Sequence, residues 1–282
     1  MAFGLDCVYC GSSRVVRNGT RNSLQGFLCR DCGRQFNERS GTLFAGMKYR
    51  PEEVVFALRL KFRYRLSSRE AAGLMAELGH PVSRNTVLFW SDRFADSFET
   101  LQRLYRPEYS GIWHVDELHV RLRGGKGYVY VVEDDRRNVI ALELTWRKDE
   151  EATARVLRKA REEAGFTPDI IVSDGASAYS PAIEEAIPGA RHVVAQFKGT
   201  TVSYDGRSVT VSNNLLERLN GTLRGWVRTL RGFKSRAAGN KALTILQAVY
   251  NLLRPHQGLG GLTPFQAAGG GGPTWNTLAK SL

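Results

Sequence analysis

IWHVDELHVRL (112–122), GYVYVVEDD (127–135) and NVIALELTW (138–146) are three consecutive strand-forming runs, and their reading decides the fold. Gly124-Gly125 and Arg136-Arg137-Asn138 separate them as turn residues, so the runs predict an antiparallel meander. A helical stretch follows, DEEATARVLRKAREEAG (149–165), then the apolar strand DIIVSDG (169–175). A second helix around ASAYSPAIEEAI (176–187) and a strand RHVVAQF (191–197) complete the block. Antiparallel strands succeeded by helix-and-strand units predict a mixed sheet with helices on both faces, which is the RNase H-like arrangement.

Within this block two acids stand out. Asp116 is a mid-strand aspartate on a run shared with Val115, Leu118 and Val120, a costly place for a charge unless something neutralises it. Asp174 ends IIVSD, where a parallel strand delivers its last side chain to the open edge of the sheet. Alternation sends Glu117 to the face opposite Asp116, and it reads as a surface carboxylate. His114 and His119 read as sheet-surface residues, and His192 as a candidate phosphate contact.

Further on, NNLLERLNGTLRGWVRTLRGFKS (213–235) reads as an amphipathic helix. Gly221, Arg224, Arg228 and Arg231 fall within about 40° of Glu217 around its axis, while Leu216, Leu219, Leu223, Trp226, Val227 and Leu230 form the apolar arc. Glu217 is the last acid in the chain; nine basic residues and no acid follow it. One carboxylate heading an arginine ridge fits a metal ligand beside phosphate-binding cations. Asp116, Asp174 and Glu217 are therefore the expected catalytic set. Oxygen-only ligands of this kind suit magnesium or manganese.

All four cysteines lie within the first 32 residues, as Cys7-x-x-Cys10 and Cys29-x-x-Cys32 with 18 residues between the pairs. That spacing predicts a structural four-thiolate zinc site in a zinc ribbon, with Gly11 and Gly33 providing the tight turns after each pair. From Pro51 the pattern becomes helical. Ser67 and Glu70 stand at capping-box distance, Gly79-His80-Pro81 breaks the chain, and Ser83 caps RNTVLFWSDRFADSF (84–98). Two capped helices with a glycine turn describe a helix-turn-helix whose Arg84, Asn85 and Thr86 face a DNA groove. A plain helical linker is the alternative reading.

The formal charge of +12 and pI near 9.8 favour a polyanion partner. No apolar run approaches the roughly 18 residues of a membrane span, and the first ten residues lack a secretory pattern, so a cytoplasmic, nucleoid-associated protein is expected.

WHVDE (113–117), VSDGASAYSPAI (172–183) and the 213–235 helix resemble the three acidic motifs of DDE transposases from prokaryotic insertion sequences, most closely the insertion-sequence-six family. LSSREAAGLMAELGHPVSRNTVLFW (66–90) is similar to that family's helix-turn-helix. YNLLRPHQGLGGLTPFQA (250–267) resembles the ending of many transposases and integrases. The resemblance implies an RNase H-like core, a magnesium-dependent Asp116–Asp174–Glu217 triad, transposon-end and target DNA as partners, and a homodimer or larger assembly. Arg224, Arg228, Arg231 and Lys234 are expected to hold DNA beside Arg84, Asn85 and Thr86. The organisation expected is a ribbon (1–42), a helix-turn-helix domain (48–104), a catalytic domain (110–268) and a flexible tail (269–282). One departure is an added hairpin at about 200–212, TTVSY-DG-RSVTV, expected either to extend the sheet or to touch DNA. The competing functions are a DNA-binding regulator, and an RNase H-like nuclease without strand transfer.

Overall fold

The computed structural model describes residues 5–21, 23–195 and 199–281. The chain divides into two compact units, Met1–Phe56 with Trp275–Leu282, and Ala57–Thr274.

In the first unit, β1 (Val15–Arg21), β2 (Leu24–Cys29) and β3 (Gln35–Asn37) form an antiparallel sheet. Its apolar content is small: Cys7, Cys29 and Phe36 are buried, with Val15 and Phe27 packed against them. So little buried surface cannot stabilise a sheet of this size unaided. Residues 269–282, expected to be a flexible tail, instead include the helix α10 (Trp275–Ser281). Trp275 and Leu278, three residues apart and so on one helix face, are both buried.

The helix α1 (Pro51–Phe62) is followed by α2 (Ser68–Glu77), α3 (Arg84–Arg93) and α4 (Ala95–Leu104). The capping box expected from sequence forms: Ser67 Oγ accepts from the Glu70 amide at 3.2 Å, and Glu70 Oε2 accepts from the Ser67 amide at 2.7 Å. Ser83 caps α3 by accepting from the Thr86 amide at 3.0 Å. Among the described residues no helix is long and apolar enough to cross a membrane.

The five-stranded sheet is mixed, as expected. It comprises β4 (Ile112–Leu122), β5 (Gly125–Asp134), β6 (Val139–Thr145), β7 (Ile170–Ser173) and β8 (Arg191–Val194), in the order β6-β5-β4-β7-β8. The first three strands are antiparallel, and β7 and β8 join parallel to β4. The strand RHVVAQF ends within the described residues at Val194; Gln196 and Phe197 lie outside them. α5 (Glu150–Ala164) and α6 (Tyr179–Ala186) bury Trp113, Val115, Tyr130, Val132 and Ile140 on one face. α7 (Asn214–Leu230) contacts β4, and α8 (Arg236–Ala248) contacts β6. This is the RNase H-like core, with β4 at its centre.

The added hairpin, β9 (Thr200–Tyr204) and β10 (Arg207–Val211), is a separate two-stranded sheet and does not extend the main one. Val202 and Val211 pack on Ile112, Ile170, Val172 and Val193. Asp205 and Gly206 both take positive φ, the tight turn their sequence predicts.

The edge strand β6 is closed by amide side chains. Asn251 accepts from the Val139 amide at 2.9 Å and donates to its carbonyl at 2.8 Å. Gln247 donates to the Val139 and Ile140 carbonyls, and Asn240 accepts from the Leu144 amide. An edge so occupied has few free groups to pair with another strand. The tail motif at Tyr250-Asn251 thus does structural work, and the short helix α9 (Pro264–Ala267), capped by Thr263, finishes it.

Candidate active site and DNA cleft

Parallel pairing of β4 with β7 sets His114 beside Val172. Two residues further along these neighbouring strands come Asp116 and Asp174. Asp116 is half-buried, and its oxygens are held from two sides. The Glu117 amide donates to Oδ1 at 2.8 Å, and the Asn220 side-chain amide on α7 donates to Oδ2 at 2.7 Å. Burial, then the charges of Glu117 and Asp174, push the Asp116 carboxyl up from 3.8 to about 6.

Asp174 is exposed, immediately after β7. Its Oδ1 accepts from the Ala176 amide at 3.0 Å. Gly175 has φ +81°, and an added Cβ there would lie 2.6 Å from Val194 Cγ1, so this turn requires glycine. His192 braces the turn from β8. Its Nε2 lies 2.8 Å from Ser173 Oγ, and its Nδ1 lies 3.0 Å from Ser180 Oγ. Both ring nitrogens are engaged, which leaves none for the phosphate contact considered for it.

Glu217 is exposed in the first turn of α7, one turn before Asn220. Its carboxylate does not close into a cluster with the two aspartates. Among the described residues, only the four cysteines form a group of three or more ligands close enough for one ion.

Two surface assignments change. Glu117 does face away from Asp116, but its side chain is 5% exposed because α5 and α6 cover that side of the sheet. It forms an ion pair with Lys148 and accepts from Tyr179 Oη at 2.5 Å. His114 is buried too, at 1% exposure, with no hydrogen-bond partner on either ring nitrogen, and burial lowers it to about 4. Asn220 is not among the residues expected from sequence. Its signal was present: a polar residue at the edge of the apolar arc of α7, about 40° from Leu216.

Five of the seven expected DNA residues come together. Arg84, Arg224, Arg228, Arg231 and Lys234 all line one open cleft of about 1240 Å³ in the second unit. Asn85 and Thr86 do not line it, and the Thr86 hydroxyl is 2.9 Å from Ser83 Oγ at the cap. α7 ends at Leu230, so Arg231 caps the helix in left-handed backbone and does not continue the ridge.

The cysteines are already arranged for a metal. Their four Sγ atoms lie within 4.8 Å of one another, with Cys7–Cys32 and Cys10–Cys29 at 3.6 Å. A zinc tetrahedron with bonds of about 2.3 Å spaces its sulfurs about 3.8 Å apart, so the set fits zinc. The Cys32 backbone amide is the main group lowering the Cys29 thiol to about 6. Gly11 and Gly33 take positive φ and donate back to the Cys7 and Cys29 carbonyls, as the paired motif requires.

A family profile described as "DDE domain" matches residues 110–256. An uncharacterised protein in transposable element ISH50 of Halobacterium salinarum is 27% identical, over 81% of this chain and 80% of its own length. The transposase for insertion sequence-like element IS431mec of Staphylococcus aureus is 20% identical, over 64% of this chain and 84% of its own. The HTLV-2 integrase catalytic core domain in complex with magnesium aligns with 57% of this chain and 97% of that chain, at 19% identity and a TM-score of 0.39.

Proposed function

Because the chain belongs to the DDE-domain family of insertion-sequence transposases, we propose that Asp116, Asp174 and Glu217 are its catalytic carboxylates. With them it cleaves DNA at the ends of its element and joins the freed 3′-hydroxyl to target DNA. The observation that carries this reading is the seat of Asp116. It lies one strand from Asp174, and the α7 residue that touches it, Asn220, follows Glu217 by one helical turn. The ligand set is all oxygen, and two neighbouring carboxylates that repel each other fit a divalent cation. Magnesium or manganese bound there supplies activation of a water or 3′-hydroxyl and stabilisation of the leaving oxygen.

The chain's own groups do the rest. Asn220 fixes the rotamer of Asp116, and the His192 brace holds the turn that presents Asp174. Arg224 and Arg228 grip backbone phosphates, while Arg84, Asn85 and Thr86 address the element end. Arg231 and Lys234 extend the same basic surface. Zinc on the four cysteines folds the ribbon, which acts with the helix-turn-helix as an addressing module ahead of the catalytic domain. The protein works as a dimer or larger assembly that bridges two ends at the nucleoid. A regulator that only binds DNA has no use for a half-buried aspartate beside a second one.

The test is cleavage of a labelled duplex carrying the terminal repeat, with magnesium. Asp174→Asn should bind this duplex as the wild type does and leave it uncut. Cleavage by that variant at more than about a hundredth of the wild-type rate would defeat the assignment, since loss of an essential metal ligand costs at least this much.

A further inference from the structure

The cleft that Arg84 and Arg228 line has another wall, the β4–β5 hairpin tip. We propose that Arg121, Arg123 and Lys126 at this tip form a clamp for the sugar-phosphate backbone of double-stranded DNA, gripping it without regard to sequence. The proposal rests on the DNA-processing function above and adds a contact surface to it.

Three observations carry it. First, Arg121 and Lys126 are directly paired across the two strands, and both are exposed. Like charges in that position have Cβ atoms about 5 Å apart and repel, so the pair opposes hairpin formation unless an anion lies over it. Among the described residues no acid pairs with either, and no acid lines the cleft.

Second, the hairpin is locked to the turn after α7. The Arg123 amide donates to the Phe233 carbonyl, and the Phe233 amide donates to the Arg121 carbonyl, both at 2.9 Å. A Cβ on Gly232 would sit 2.6 Å from the Arg121 carbonyl oxygen, so only glycine allows the approach. The two basic segments are thereby held in one fixed geometry.

Third, Arg231 caps α7 at φ +56°, in left-handed backbone that normally selects glycine or asparagine. A guanidinium is kept where helix termination alone favours a residue without one. These charges project from backbone that is braced, on side chains that are not. Such groups suit phosphates, which fix register, better than base edges, which need fixed donors.

Binding of the full-length zinc-loaded protein to two fluorescent duplexes, one with the terminal repeat and one scrambled, tests this across a salt series. Replacing all three residues (Arg121→Gln, Arg123→Gln, Lys126→Gln) should lower the slope of log K against log salt by two to three, at about 0.9 per phosphate, and weaken both duplexes by the same factor. Lys126→Glu should raise the melting temperature of the free protein while weakening its binding, a combination that misfolding cannot produce. An unchanged slope in the triple variant, with Arg84→Ala and Arg224→Ala still impaired, overturns the clamp and leaves the DNA function standing. Weakening confined to the terminal-repeat duplex also overturns it, since the hairpin would then read sequence. If the wild type binds neither duplex, both proposals fail.

Discussion

Replacing Asp116 by Asn should make the metal-free protein more stable at neutral pH. Native structure holds the Asp116 carboxyl at about 6, against 3.8 for a free side chain, chiefly through burial. A raised carboxyl contributes its stabilisation fully below pH 3.8 and loses it as the pH climbs through about 6. Above that, ionised Asp116 costs up to about 3 kcal/mol of native stability. Asparagine keeps the shape without the charge. Its new amide has an acceptor waiting, because Asn220 Oδ1 is buried without a partner and the Asn220 amide can turn over to present it. The assay is urea unfolding followed by the fluorescence of buried Trp113 and Trp226, at pH 4 and pH 7.5, without divalent ions. The variant should exceed the wild type by up to about 3 kcal/mol at pH 7.5 and by only about 0.5 kcal/mol at pH 4. Magnesium at a hundredfold its dissociation constant should then add about 2.7 kcal/mol to the wild type and nothing to the variant. Equal stability of the two proteins at pH 7.5, or an equal deficit of the variant at both pH values, would refute the reasoning.

Three further outcomes follow from the same structure. Purified protein should carry one zinc per chain by elemental analysis, and Cys29→Ser should lose it together with the order of β1–β3, while the core containing Trp113 stays folded; protein that is folded through β1–β3 yet free of zinc would contradict this. Asn251→Ala, which removes the acceptor from the Val139 amide on the edge strand and leaves its carbonyl to Gln247 alone, should cost about 1–3 kcal/mol in urea unfolding, and a loss below about 0.5 would mean water replaces the amide. Arg224→Ala should reduce the salt slope of DNA binding by about one for repeat and scrambled duplexes alike, whereas Arg84→Ala should erode the preference for the repeat; identical profiles for the two variants would remove the division between grip and address.

Strand-forming runs and turn residues made the meander legible, because β4 and β5 are rich in β-branched and aromatic residues and are bounded by glycine and arginine turns. They gave the side of the sheet each residue takes, though not what covers that side. Alternation puts Glu117 on the face opposite Asp116, yet α5 and α6 close over that face, so it is a buried ion-pair partner and not a surface acid. His114 shares this cause. The carboxylates stood out because each is an acid where burial or surrounding arginines make one unfavourable. Asn220 did not, since a neutral amide near an apolar arc costs little in sequence terms and acquires meaning only once α7 lies on β4. The helix at Trp275–Ser281 was obscured by the glycines before it, although Trp275 and Leu278 have helical spacing. In sequence the tail motif carries only a resemblance to transposase endings; its part as an edge cover is visible only when Asn251 meets Val139.

The most direct test of the account is the position of divalent ions in the protein bound to a terminal-repeat duplex, read from anomalous scattering by manganese. Two peaks about 3.5–4 Å apart, ligated by Asp116, Asp174 and Glu217, are predicted. This requires α7 to carry Glu217 closer to the aspartates than it lies without DNA. Peaks ligated by Asp116 and Asp174 with Glu217 still turned to solvent, or with Glu117 released from Lys148 to serve in its place, would contradict the assignment of the third carboxylate.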